Sequence, residues 1–290
     1  MSDWRDRAAL WRARWIEKPV LWAITSPRVL RLLFAATAPI RGTWPAGVTR
    51  SRATLGGQPC LRLTPKGARG RLLYLHGGGF VVGGPISHGR LAAHVAAASG
   101  REVWLTDYRL APEHPFPAAS DDAEAAYAAL AAEGPVAVMG DSAGGGLALS
   151  LLHACGPDAL PVPEALVLLS PVADLSAGRG FGPDQLLPHR WAEASVRAYA
   201  GDRVPVGSRF NPLAAPFPAA PPTLIQLATG EALEGDGHAA AEALRAAGAA
   251  PVTVEATPDS YHVWHMGAGR VPMADRAVTR IGAFLRAHGA

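Results

Sequence analysis

Cysteine is almost missing from this chain. Cys60 and Cys155 are the only two in 290 residues, which excludes a disulfide framework. Charge is sparse at 18% of residues and nearly balanced, and a net +3 is too small to argue for a nucleic-acid partner. No apolar run reaches the length of a membrane span, and no secretory signal pattern opens the chain. We therefore expect a cytoplasmic, reducing setting and no integral membrane association. What is plentiful is glycine (32), proline (26) and hydrophobic side chains (49%), the composition of a globular protein. A chain of this length can form one large α/β domain with a sizeable core.

The small net charge hides an uneven distribution. Residues 1–50 carry eight Arg and one Lys against Asp3, Asp6 and Glu17, so this segment holds +6 and the remainder −3. Trp4, Trp11, Trp15 and Trp22 follow spacings of seven, four and seven, which places them on one face of a helix. A membrane-surface helix, basic on one side and aromatic on the other, has this pattern. So does a helix packed by its tryptophans onto the body of the protein and covering a groove, and we favour that reading.

Beyond a helix-breaking Gly42–Gly47 stretch, the pattern alternates. Extended segments at Val48–Leu55 and Pro59–Thr64 suit an edge hairpin. Further strands are expected at Arg71–Leu75, Glu102–Thr106, Val136–Met139, Ala165–Leu169, Thr223–Ala228 and Val252–Ala256. Between them lie helical stretches, one capped by Ser87, one capped by Ser120 and one around Leu147–Leu152. Later helices span Leu186–Ala200, His238–Ala247 and Ala274–His288. Residues 174–221 carry no strand pattern and read as an excursion from the sheet. Strands alternating with helices predict a mostly parallel sheet of eight strands, covered on both faces.

The chain is organised around Val136-Ala-Val-Met-Gly-Asp-Ser142-Ala-Gly-Gly-Gly. A strand turning straight into a helix through G-x-S-x-G needs glycines where the elbow leaves no room for Cβ atoms, and it holds the serine strained and exposed. The helix behind it aims free N–H groups and a positive dipole end at whatever the serine carries. In such sheets chemistry lies at the carboxyl ends of the strands. There the sequence puts His76-Gly-Gly-Gly79, Ser142, Glu231 and His262, the chain order of a Ser–acid–His triad. Glu234, Asp236 and Asp259 are rival acids and His265 a rival histidine. His88, His94 and His153 fall on helical segments and read as packed or solvated.

His76-Gly-Gly-Gly-Phe80, Asp107-Tyr-Arg-Leu-Ala-Pro-Glu113 and Gly140-Asp-Ser-Ala-Gly-Gly145, in this order, resemble the hormone-sensitive-lipase-like (bacterial family IV) esterases from about Arg71 onward. The resemblance implies an α/β-hydrolase fold with a helical cap, a small-molecule carboxylic ester as substrate, and neither cofactor nor metal. It implies N-terminal cap helices over 1–45 and a catalytic domain over 46–290, with a cap insertion at about 174–221. Residue by residue, it makes Ser142 the nucleophile and His262 the base, with Gly78, Gly79 and Ala143 supplying oxyanion-hole N–H groups. His76, Gly77, Asp107 and Glu113 would shape loops. The acid departs from the family's Asp-Pro-Leu: here Glu231-Ala-Leu233 stands in that register. The histidine context, Tyr261-His262-Val-Trp-His265, departs from His-Gly-Phe. Short to medium acyl chains follow from the resemblance alone; Trp22, Leu33, Phe34, Phe181, Leu186 and Trp191 are candidates to line their pocket. A lactone hydrolase, a deacetylase and a silent small-molecule receptor are the alternatives. Oligomeric state stays open, although members of that family are often homodimers.

Overall fold

A computed structural model describes residues 3–157, 159–176, 181–202, 205–248 and 250–288. Its eight strands are β1 (Val48–Leu55), β2 (Gln58–Pro65), β3 (Arg71–Leu75), β4 (Glu102–Thr106), β5 (Val136–Asp141), β6 (Leu166–Leu169), β7 (Thr223–Ala228) and β8 (Val252–Thr257). They form one sheet in the order β1-β2-β4-β3-β5-β6-β7-β8. β1 and β2 make an antiparallel edge hairpin and β2 runs antiparallel to β4; every other pairing is parallel.

The central strands are apolar on both sides, as a doubly covered parallel sheet demands. Leu73, Leu75, Val136, Val138, Leu166, Leu168, Ile225 and Leu227 point to one core, and their alternates Leu72, Tyr74, Ala137, Met139, Val167 and Leu169 to the other. Helices α5 (Ala118–Ala131), α6 (Ala143–Leu152) and α8 (Glu234–Ala246) cover the first face, while α4 (Pro85–Ser99) and α9 (Pro272–Ala287) cover the second.

Helix starts differ from expectation. Ser87 and Ser120 are not caps: α4 begins at Pro85 and α5 at Ala118, and neither has a side-chain cap. Pro85, with its φ pre-set and no N–H to satisfy, starts α4 instead. The Ser87 hydroxyl turns back to the Gly84 carbonyl, and Ser120 meets the Tyr199 hydroxyl.

The N-terminal segment comprises α1 (Trp4–Arg12), a π-helical turn at Ala13–Glu17, α2 (Lys18–Ala23) and α3 (Pro27–Arg41). It lies on the body as expected, but not through its tryptophans. Trp4, Trp11, Trp15 and Trp22 are 66, 58, 59 and 60% exposed, whereas Ala9 and Ala13 are buried. These alanines lie on the far side of the helix from the tryptophan stripe. Small side chains let the backbone approach closely, so the bulky face is left in solvent. Polar clamps fix the segment: buried Asp6 accepts from the Met273 N–H and from Arg276, and Arg31 meets Glu113 through two N–H donors. The excursion carries α7 (His189–Ala200), which packs beside α2.

Glycine is obligatory where the elbow crosses the sheet. A Cβ at Gly144 would land on the Leu75 carbonyl of β3, a backbone atom of a central strand that cannot swing away. Gly144→Ala is expected to destabilise the protein by about 1–3 kcal/mol, read as a lowered thermal midpoint.

Candidate active site

Register places the site. β3 lies beside β5 with Leu75 opposite Gly140, so the His76–Gly79 loop leaves the sheet next to Asp141 and Ser142. Ser142 sits at the elbow with φ +51°, a conformation L-residues adopt only under constraint. Its N–H donates to the Leu169 carbonyl at 2.8 Å, and its own carbonyl accepts from Val172 at 3.0 Å. Those bonds, with α6 starting at Ala143, hold the strained residue.

Two loops bring partners to it. Glu231 follows β7 and His262 follows β8. His262 Nε2 lies 2.9 Å from Ser142 Oγ, and Nδ1 lies 2.8 Å from Glu231 Oε2. Glu231 Oε1 accepts from the Ala228 N–H at 2.9 Å, which fixes the carboxylate. All three residues are buried. The imidazole therefore carries its proton on Nδ1, toward the carboxylate, and presents Nε2 as acceptor to the hydroxyl. Burial pushes the His262 pKa down, but the hydrogen bond and charge of Glu231, then Asp184 and Asp141, outweigh it and raise it above its ordinary 6.5.

The rivals sit elsewhere. Asp236 Oδ2 accepts the N–H groups of Ala173 and Asp174, Glu234 accepts from the Gly230 N–H, and Asp259 is exposed. His265 is buried against Gln226, its Nε2 2.9 Å from the amide oxygen, and burial drives its pKa down to about 3.

Opposite the serine, Gly78 and Gly79 take φ +121° and +60°. A Cβ at Gly78 would meet the Val82 carbonyl, and one at Gly79 would press on Trp191 and Ser195 at 2.9 Å. The loop is tied to the elbow by Asp141, whose Oδ1 accepts from the Gly77 N–H at 2.9 Å and the Tyr74 hydroxyl at 2.8 Å. His88 approaches Asp141 Oδ2 at 3.4 Å, so this helical histidine belongs to the support of the site. His76 stacks on Tyr108 with ring centroids 4.2 Å apart, and burial lowers its pKa to about 3.

Sequence reasoning missed Asp184. It lies in the excursion and is buried, and its oxygens accept from Leu186, Leu187 and Ala232, the last the residue after Glu231. Lys18 of α2 donates to its carbonyl at 2.7 Å. One signal was available: Gly182-Pro-Asp184 is a turn composition in which Asp bonds the backbone two residues on. Asp184, Glu231 and His262 offer atoms within 4.8 Å of one another. A cation there would have to displace the hydrogen bonds these atoms already make.

The cavity over Ser142 is walled by Leu21, Phe34, Leu186, Leu187, Trp191 and Met266, with Arg12, Glu17 and Arg41 at one side. Of the expected lining residues, Phe34, Leu186 and Trp191 are present, while Trp22, Leu33 and Phe181 are not. Arg12 and Arg41 share Glu17 at 3.0 and 3.5 Å.

Residues 72–266 match the alpha/beta hydrolase fold family. The chain is 39% identical to an acetyl-hydrolase of Streptomyces hygroscopicus over 74% of this chain and 75% of that protein. It is 36% identical to the carboxylesterase/phospholipase LipF of Mycobacterium tuberculosis over 76% and 62%. A crystal structure of an esterase from the bacterial hormone-sensitive lipase family superposes with TM-score 0.88 at 32% identity, covering 99% of each chain. A strained serine within reach of a paired histidine, on this fold and with these relatives, leads to one conclusion: the chain belongs to the hormone-sensitive-lipase-like esterases of the α/β-hydrolase superfamily and is a serine carboxylic ester hydrolase.

Proposed function

We propose that Ser142 is the nucleophile, His262 the general base and Glu231 the orienting acid, with the N–H groups of Gly78, Gly79 and Ala143 as oxyanion hole. The observation that carries this reading is His262, hydrogen-bonded to Ser142 on one nitrogen and Glu231 on the other. As Oγ bonds the acyl carbon, Nε2 takes its proton, and Glu231 stabilises the imidazolium. The carbonyl oxygen gains the charge, and the fixed N–H donors offset it. Collapse breaks the bond to the alcohol oxygen, which leaves with the proton from Nε2. A water then repeats the sequence on the acyl-enzyme and releases the acid.

Residues 1–45 and the excursion at about 174–221 would form the cap, since both contribute walls to the cavity. That cavity is about 70 Å³, far below the roughly 300–1,000 Å³ of sites for drug-sized ligands. It favours the short end of the acyl range, in keeping with the name of the acetyl-hydrolase relative. Two buried free thiols, Cys60 and Cys155, suit a reducing cytoplasm. Among the described residues no helix is long and apolar enough to cross a membrane.

Hydrolysis of p-nitrophenyl esters tests the roles. Ser142→Ala and Glu231→Ala are expected to lower kcat by about 10⁴-fold or more, whereas an equal loss in Asp236→Ala with Glu231→Ala active would move the acid to Asp236. Across the series, kcat/KM for acetate and butyrate should exceed that for decanoate by roughly tenfold or more; a flat profile would refute the small acyl site.

The pH profile provides a further check. Only neutral imidazole accepts the serine proton, so a raised His262 pKa puts the acid limb of kcat/KM above pH 6.5, with activity lost as pH falls through it. Asp184→Asn removes a negative charge that raises this pKa, and the limb should move to lower pH. An unmoved limb would limit Asp184 to holding the loop.

A further inference from the structure

Among the described residues, nine of the twelve exposed large hydrophobic side chains fall between Trp4 and Ile40. Seven of them form two stripes. Trp4, Trp11, Trp15 and Trp22 run along the helix formed by α1, the π-helical turn and α2. Val29, Leu32 and Ile40 follow spacings of three and eight along α3, again one helical face. Scattered exposed apolar residues need no explanation, but a concentration of this size in one segment marks a surface that something covers.

Charge says what. The exposed ionisable residues between Trp4 and Ile40 are Arg5, Arg7, Arg14 and Arg28; the carboxylates of that span are turned inward, Asp6 buried beneath α1 and Glu17 half-buried with Arg12 and Arg41. Two exposed acids lie nearby: Asp3, which caps α1 by accepting from the Arg5 N–H, and Asp259, which reaches the edge of the same surface, so the four exposed arginines outnumber them. The cations flank the aromatics: the Arg5 guanidinium lies 5.6 Å from the Trp4 ring and that of Arg14 5.1 Å from Trp15. Arg7, Trp11, Arg14 and Trp15 line one shallow groove. Tryptophan with arginine is the chemistry of the bilayer interface, where an amphipathic ring sits among headgroups and a guanidinium meets lipid phosphate. A two-fold contact with a second copy would set this arginine-rich face against an identical arginine-rich face.

We propose that the tryptophan–arginine face of the N-terminal helices docks the enzyme on an anionic phospholipid surface. The inner side of the same helices supplies Arg12, Glu17, Leu21, Phe34 and Arg41 to the cavity over Ser142, so the docked enzyme has its active site directly behind the lipid contact. The docking does not depend on the assignment of the triad, because binding is read without turnover.

Flotation with vesicles is the test. The full-length protein should float with phosphatidylcholine vesicles containing about 30% phosphatidylglycerol, at least roughly tenfold more than with phosphatidylcholine alone, and should be released at about 0.5 M salt. Trp11→Ser with Trp15→Ser, and separately Arg5→Gln with Arg14→Gln, should each weaken binding about tenfold. These side chains are exposed, so an unchanged thermal midpoint and unchanged hydrolysis of a water-soluble ester establish that each variant is folded. No flotation of the wild type on anionic vesicles overturns the proposal, as does equal binding to both vesicle types. A dimer that Trp11→Ser with Trp15→Ser dissociates, in the absence of flotation, assigns the face to a second copy instead.

Discussion

The carboxylate of Asp141 holds the site at its working dimensions. It is the last residue of β5, adjacent in sequence to the serine, yet its hydrogen bonds reach across to Gly77 and Tyr74 of the neighbouring strand and loop. Buried and acceptor-only, it gathers donors from two crossing segments. It thereby sets the distance between the elbow and the glycine loop before any substrate arrives. Burial raises its pKa, while His88, Tyr74 and His76 more than reverse this, so it stays ionised. An oxyanion site gains most from donors that need not reorganise during reaction, and for the oxyanion hole proposed above this one charge would supply that rigidity.

The same economy explains the glycines and the helix ends around it. The elbow passes so close to β3 that side chains at its glycine positions would strike backbone. The chain can make this approach only because β3 and β5 are parallel neighbours in register at Leu75 and Gly140. Sheet register, elbow sterics and loop conformation are therefore one constraint, met by the glycine-rich sequences on either side.

Much of this was legible in the sequence. All eight strands fall where the sequence puts them, and the central ones announced themselves as short apolar runs because a doubly covered sheet leaves little room for polar residues. Ser142, Glu231 and His262 were readable as positions just beyond strand ends, where this architecture converges. Two things were legible only in part, Asp184 as no more than a turn residue. Asp184 works from a segment without strand pattern, through backbone groups whose location depends on how the excursion folds back. The tryptophan stripe was visible as a stripe, but periodicity identifies a face without saying which way it points. The deciding fact was that Ala9 and Ala13 allow a closer approach than tryptophan does. The π-helical turn at Ala13–Glu17, which no sequence pattern signals, adds a further offset just where Arg12 and Glu17 reach the cavity.

The N-terminal helices are held differently from the rest of the protein. Every residue of α6 is buried, whereas α1 buries only Asp6 and Ala9, α2 only Leu21, and α3 only Leu30 and Ala38. A few polar clamps do the remaining work. Segments with so little apolar burial open at free energies far below that of global unfolding, and do so as cooperative units. Here such a unit forms one wall of a narrow cavity over the serine. Opening of that wall would widen the way to Ser142 while leaving the buried sheet and α6 beneath it intact.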